Sequence, residues 1–270
     1  MNLTDLTRSI RADGGKALVP FFTAGYPDTE TFLHLVTSAS RLGCPVIEIG
    51  VPFSDPIADG PLIQESSRRA LENGMTLRKA LALAERASAA VSAALVLMSY
   101  VNPALRMGID RFAESARASG VSGVILPDVP IEESEEIRLL LAERGVALID
   151  LVAPTSSEAR IERITACASG FLYLVSITGV TGIRSALAAD LESFIGRVRK
   201  ESDLPLYVGF GVSTPDQARG VASRADGVIV GSALIRIIRS AKTGEEAVAG
   251  VERFMKQMNQ AVQAPTRRSP

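Results

Sequence analysis

Residues Leu206–Val230 read LYVGFGVSTPDQARGVASRADGVIV. The apolar run Leu206–Phe210 leads into a glycine-containing turn, Gly209-Phe210-Gly211-Val212-Ser213. Thr214-Pro215-Asp216-Gln217 then marks a helix start, with Thr as N-cap, Pro at the first helical position and Gln three residues after the cap. Pro215–Ala222 carries that helix, and Gly227–Val230 is a second apolar run. Strand, helix and strand in so short a span form one unit of a parallel sheet, because parallel neighbours need a crossover connection.

The same alternation extends outward. Apolar runs at Ala17–Thr23, Pro45–Val51, Ala93–Tyr100, Gly123–Pro127, Ala147–Val152 and Phe171–Ile177 bring the candidate strands to eight. Helical patterns occupy Asp28–Leu42, Thr76–Ala90, Ile109–Ser119, Glu132–Arg144, Ser157–Ala168, Leu191–Glu201 and Glu245–Gln260. Asp28 and Ser156 are further cap candidates, and Gly43, Gly120 and Gly145 stand where helices should stop. Eight strand-plus-helix units in about 250 residues predict an α/β fold, a (β/α)8 TIM barrel. A doubly wound open sheet is the rival, disfavoured because no G-x-G-x-x-G follows the first strand. An extra N-terminal helix, Leu3–Arg11, is expected to cover the barrel's bottom. Residues 1–262 read as one domain without a linker, and 263–270 as a polar, disordered tail.

The composition narrows the chemistry. Of 270 residues, 29 are Lys or Arg and 30 are Asp or Glu, a net charge of −1 that gives no overall attraction to nucleic acid or anionic membranes. Cys44 and Cys167 make neither a disulfide framework nor a zinc cluster, and suit a reducing cytoplasm. His34 alone cannot build a multi-histidine metal site, so no metal is expected. Met1–Asp13 lacks the apolar core of a signal peptide, and Ala87–Val101 falls short of the ~18 residues a membrane span needs. None of Lys16, Lys79, Lys200, Lys242 or Lys256 falls at the C-terminal end of a candidate strand, where a Schiff-base lysine would sit.

Barrel active sites form at the C-terminal ends of the strands. There, Glu48 is a carboxyl inside an otherwise apolar strand, and Asp59 follows on the next loop. An inward Glu48 would have its pKa raised by desolvation, and two carboxyls in different surroundings can divide acid and base roles. The plainer alternatives are an outward Glu48 paired with a helix Arg, and a turn aspartate. Gly209-Phe210-Gly211 and Gly231-Ser232-Ala233 follow strands seven and eight, the usual phosphate cradle of such barrels. Thr178–Ala189, a long connection after strand six with Gly179 and Gly182, reads as a closing lid. These features together point to cofactor-free acid–base chemistry on a phosphorylated small molecule.

The stretch Ile47–Gln64, IEIGVPFSDPIADGPLIQ, closely resembles the signature of the tryptophan synthase α family. Val19-Pro20-Phe21, Ala24-Gly25-Tyr26-Pro27, Tyr100-Val101-Asn102-Pro103, Asp128–Ser134, Ser176–Gly182, Gly209-Phe210-Gly211 and Gly231-Ser232-Ala233 resemble the same family in the same order. The resemblance implies retro-aldol cleavage of indole-3-glycerol phosphate to indole and glyceraldehyde 3-phosphate, with Glu48 and Asp59 as catalytic carboxyls. It places Phe21, Ile63, Tyr100 and Tyr173 around the indole, and Gly182, Phe210, Gly211, Gly231 and Ser232 around the phosphate. Thr181 matches a lid threonine, while Ile177 stands where some members carry Arg. The resemblance further implies an α2β2 complex with a pyridoxal-phosphate β subunit, the cofactor lying only in that partner. Loops with Asp55, Pro56, Asn102, Asp128 and Pro130 would face it. A stand-alone lyase releasing free indole, or a catalytically silent activator of the β subunit, are the competing readings.

Overall fold

The computed structural model describes residues 2–175, 184–209 and 211–263, with the backbone alone at 184–189. Its strands are β1 (Ala17–Thr23), β2 (Val46–Gly50), β3 (Ala94–Met98), β4 (Val121–Ile125), β5 (Ala147–Val152), β6 (Leu172–Val175), β7 (Leu206–Gly209) and β8 (Gly227–Val230). Each pairs in parallel with the next, and β8 closes on β1 through Ala17↔Gly227 to Pro20↔Val230. The eight-stranded parallel barrel is therefore complete.

The helices are α1 (Leu3–Ala12), α2 (Thr29–Arg41), α3 (Pro61–Glu72), α4 (Leu77–Ser88), α5 (Val101–Met107), α6 (Ile109–Ala118) and α7 (Glu135–Glu143). They continue with α8 (Glu158–Cys167), α9 (Arg184–Glu201), α10 (Pro215–Ala222), α11 (Ser232–Ser240) and α12 (Gly244–Gln263). Among the described residues, none is long and apolar enough to cross a membrane. Most starts and stops follow local chemistry. The Asp28 carboxylate accepts from the Thr31 N–H at 2.9 Å, and α10 has the full capping box between Thr214 and Gln217. Gly43, Gly120 and Gly145 sit just past helix ends with φ of 81°, 74° and 70°.

Differences from the sequence reading have local causes. Ser157, not Ser156, caps α8, while the Ser156 hydroxyl accepts from the Ala153 N–H at 3.3 Å. α9 starts at Arg184, seven residues before the expected Leu191, so it takes in Arg184–Ala189. The remainder of the expected lid, with Ile177, lies outside the described residues, as does the tail 264–270. Three further helices, α3, α5 and α11, are absent from the helical patterns read from the sequence. The buried face of α3 is Ser66, Ser67 and Ala70, too small and polar to show an apolar period. α5 has seven residues and Pro103 within its first turn.

Two apolar layers form. Outside the barrel, Phe22, Ile47, Ile49 and Leu97 pack against helix residues such as Phe32, Leu35 and Phe112, all essentially solvent-free. Inside, Val19, Val46, Val96, Ile125, Ile149, Phe171, Tyr207 and Ile229 fill the lower barrel, one from each unit, with Leu3 of α1 beneath them. Phe171 and Tyr207 stack at 4.4 Å between ring centroids. α1 is clipped on from below, where the Thr7 hydroxyl donates to the Gly170 carbonyl at 2.6 Å. The bottom is thus closed, leaving the other end for function.

Candidate active site

Side chains on a strand alternate between faces, so the residue two after each inner core residue also points inward, one layer higher. Applied to the eight inner residues, this gives Phe21, Glu48, Met98, Pro127, Leu151, Tyr173, Gly209 and Gly231. All eight line one cavity of about 760 Å³ at the C-terminal end of the barrel. Glu48 is therefore inside the barrel, and an ion pair on the outer face is ruled out.

Glu48 is 2% exposed, across the ladder from Phe21. Burial pushes its carboxyl up to about 8, and the neighbouring Asp59 charge adds to the rise. Asp59 enters the same cavity from the loop after β2, between Ala58 and Gly60. Desolvation raises it to about 6, held back by a hydrogen bond from the Tyr100 hydroxyl. Near neutral pH the pair is thus split, Glu48 protonated and Asp59 ionised. Burial, then the charges of Glu48 and Asp59, keep the Tyr173 phenol neutral well above its usual range.

The Asp59 loop is held by its neighbours. The Ala58 N–H donates to the Tyr100 oxygen at 2.9 Å, and the Gln64 amide donates to the Asp59 carbonyl at 2.9 Å. Tyr100 also stacks on Phe53 at 5.0 Å. Two glycines make room for the aromatic walls. A Cβ on Gly50 would lie 2.4 Å from the Phe21 ring, and one on Gly209 would lie 2.4 Å from the Tyr173 oxygen.

The opposite end of the cavity is different in kind. Gly211, with φ of 62°, Val212 and Ser213 line it after β7, and Gly231, Ser232 and Ala233 line it at the start of α11. Gly211 takes a left-handed backbone conformation that other residues adopt with strain. Backbone N–H groups at a helix start suit an anion.

The structure therefore brings Phe21, Glu48, Asp59, Ile63, Tyr173, Gly211, Gly231 and Ser232 to one cavity. Tyr100 does not line it and acts on the loop from behind. Thr181, Gly182 and Phe210 lie outside the described residues. Met98, Pro127, Leu151, Val175, Gln217 and Arg236 also line the cavity and were not anticipated. The alternation rule finds the first three once the inward face is known.

On the same rim, Asp55 is exposed and Pro56 half-buried in the loop after β2, and Asn102 is exposed in the first turn of α5 after β3. Asp128, after β4, accepts the Val101 N–H at 3.0 Å and joins two of these loops, with Pro130 exposed beyond it. His34 is exposed on α2, and burial pushes the Cys44 thiol up to about 12.

A family model described as tryptophan synthase alpha chain matches residues 8–263. The tryptophan synthase alpha chain of Chloroflexus aurantiacus is 46% identical over 257 residues, covering 95% of this chain and 96% of its own. That of Geotalea daltonii is 49% identical over 221 residues, or 82% and 84%. The chain is similar to the crystal structure of tryptophan synthase subunit alpha from Legionella pneumophila, with a TM-score of 0.89 and 35% identity over 97% of this chain and 98% of that one. It is also similar to a chain of Mycobacterium tuberculosis tryptophan synthase, with a TM-score of 0.88, 36% identity and coverage of 97% and 98%.

Proposed function

The chain belongs to the tryptophan synthase alpha chain family, and from that premise we propose which of its residues perform the reaction. Members are lyases of the alpha reaction, cleaving indole-3-glycerol phosphate to indole and glyceraldehyde 3-phosphate. Indole leaves poorly as a carbanion, so C3 must be protonated before the C–C bond breaks. Glu48, held protonated by burial, delivers that proton. Asp59, ionised, accepts a hydrogen bond from the indole N–H and stabilises the positive charge that protonation puts on the ring. The Glu48 carboxylate then takes the proton of the adjacent side-chain hydroxyl. As that O–H breaks, the aldehyde forms and the C–C electron pair returns to the ring, restoring aromaticity. Glu48 ends protonated, so the cycle needs no net acid or base.

Phe21, Ile63 and Tyr173 flank the indole, and Tyr100 orders the Asp59 loop. Gly211, Gly231 and Ser232 hold the phosphate through backbone N–H groups, in concert with Gly182 and Phe210. Thr181, matching the family's lid threonine, is assigned to positioning Asp59. The observation that carries this reading is the cavity itself, two carboxyls of divided protonation at one end and glycine-rich turns at the other.

The family has a β-subunit partner. We further propose an α2β2 assembly, docked through the rim loops with Asp55, Pro56, Asn102, Asp128 and Pro130, with residues 1–262 acting as one barrel domain. The chain works without a cofactor of its own, and pyridoxal phosphate belongs to the partner. The deciding experiment follows indole release from indole-3-glycerol phosphate, with and without a β subunit. Release that rises sharply with the partner, together with co-elution, supports the complex. Full activity alone would indicate a stand-alone lyase, and no release in either case would overturn the assignment of Glu48 and Asp59.

A further inference from the structure

We propose that Arg236 and the side-chain amide of Gln217 form an outer ring of donors around the phosphate end, holding the substrate's phosphate by charge where the turns hold it by backbone dipoles. The inference rests on the phosphate placement above. Three observations carry it.

First, the orientation of Gln217 is settled by its neighbours. Its Oε1 accepts from the N–H of Ser213 at 2.8 Å, the N–H of Thr214 at 3.1 Å and the Ser213 hydroxyl at 3.1 Å. Two backbone donors leave no choice of amide flip, so Nε2 faces away from the cap. The residue lines the cavity, and its Nε2 donates to no acceptor among the described residues.

Second, Arg236 lies one turn into α11, four residues after Ser232. Helical side chains lean back towards the N-terminus, so this spacing stacks Arg236 over the cradle residue. It lines the cavity and is exposed. Arg239, on the same helix, is tied to Glu65 at 2.8 Å, whereas Arg236 forms no ion pair among the described residues.

Third, Arg236 is the one cationic side chain that lines the cavity among the described residues. An ionised Asp59 already occupies the opposite end, and a phosphate ester brings roughly 1.5 to 2 further negative charges. A guanidinium offsets that repulsion and adds charge-assisted hydrogen bonds to those of the backbone donors.

Gln217→Glu tests the amide without dismantling the helix start. A carboxylate at this position still accepts from Ser213 and Thr214 and keeps the capping box, but it turns an oxygen rather than an N–H to the phosphate. The expected result is KM for indole-3-glycerol phosphate raised ~10-fold or more, with a thermal midpoint no lower than that of the parent. Arg236→Ala is expected to raise KM by ~10-fold, and Arg236→Lys by ~3-fold or less. Glycerol 3-phosphate, used as a competitive inhibitor, should lose affinity in parallel. Unchanged KM and inhibition in either variant would overturn the proposal for that residue. Gly211→Asp separates the two levels of argument: if it also leaves KM unchanged, the phosphate placement itself fails.

Discussion

The two ends of the cavity use the same residue, glycine, for opposite purposes. At the carboxyl end Gly50 and Gly209 are strand residues whose missing side chains let the Phe21 and Tyr173 rings lie across the barrel. At the anion end Gly211 supplies a left-handed backbone turn that exposes N–H groups. One end presents a buried Glu48 and a half-buried Asp59, whose protonation is set largely by desolvation. The other works through backbone geometry and is open to solvent, with Ser232 and Gly211 both exposed. Chemistry and binding should therefore come apart under mutation.

The largest separation is expected at Glu48. Glu48→Gln removes the proton donor while keeping shape, so kcat should fall by at least ~10²-fold with little change in substrate affinity. Near-normal turnover would remove Glu48 from the mechanism. The same variant has a stability signature. A carboxyl raised to about 8 in the folded state and near its ordinary value when unfolded stabilises the fold only in its protonated form. That contribution is complete at pH 4 and drains away as pH rises towards 8. Glu48→Gln does not titrate, so its thermal midpoint should overtake the parent's progressively between pH 5 and pH 8, by a few degrees or more. Parallel melting curves across that range would mean that Glu48 is not buried as described.

Gly211→Asp probes the other end and should reverse the pattern. It places a negative charge at the proposed phosphate site and strains a backbone at φ 62°, so KM should rise by ~10-fold or more, with kcat affected less. An effect on kcat alone would mean that the two ends are not separable.

How much of this was legible beforehand follows the same division. The strands were visible as apolar runs, and Glu48 stood out because a lone carboxyl in such a run is anomalous. The turns after β7 and β8 were visible because glycine and cap residues act locally. Met98, Leu151 and the room made by Gly209 were not visible, since which face of a strand points inward is settled only when the barrel closes. α3 escaped because its buried face is Ser66, Ser67 and Ala70, small residues that carry no hydrophobic period. Gln217 was recognised as the capping-box partner of Thr214, and that local role concealed the amide hydrogens it presents to the cavity. Arg236 was not singled out, because nothing local in the sequence tells an arginine four residues past Ser232 from the chain's many others.

Gly209→Ala is a milder test of the contrast, placed where a glycine serves packing. The added methyl would fall on the Tyr173 hydroxyl at 2.4 Å, so the ring must move, and Tyr173 adjoins Glu48. Overpacking of this kind costs about 1–3 kcal/mol of stability. It should lower kcat by ~10-fold while leaving glycerol 3-phosphate binding near the parent value. A rise in KM as large as that of Gly211→Asp would erase the distinction between the two kinds of glycine.

The smallest effect is expected at Tyr100, which touches the reaction only through the Asp59 loop. The proposed mechanism requires Asp59 ionised and Glu48 protonated in the free enzyme, so kcat/KM should rise through about 6, fall through about 8 and peak between them. The Tyr100 hydroxyl holds the Asp59 value down by donating to the ionised carboxyl. Tyr100→Phe removes that bond and leaves the Ala58 N–H without its acceptor. The acid limb should therefore move to higher pH by about one unit or less, while the alkaline limb, set by Glu48, stays in place. At pH 7 this amounts to a loss of kcat/KM of about two-fold at most. Movement of both limbs together would mean that Tyr100 organises the whole carboxyl end, and movement of neither would mean that the aspartate loop is held by Gln64 and its own turn alone.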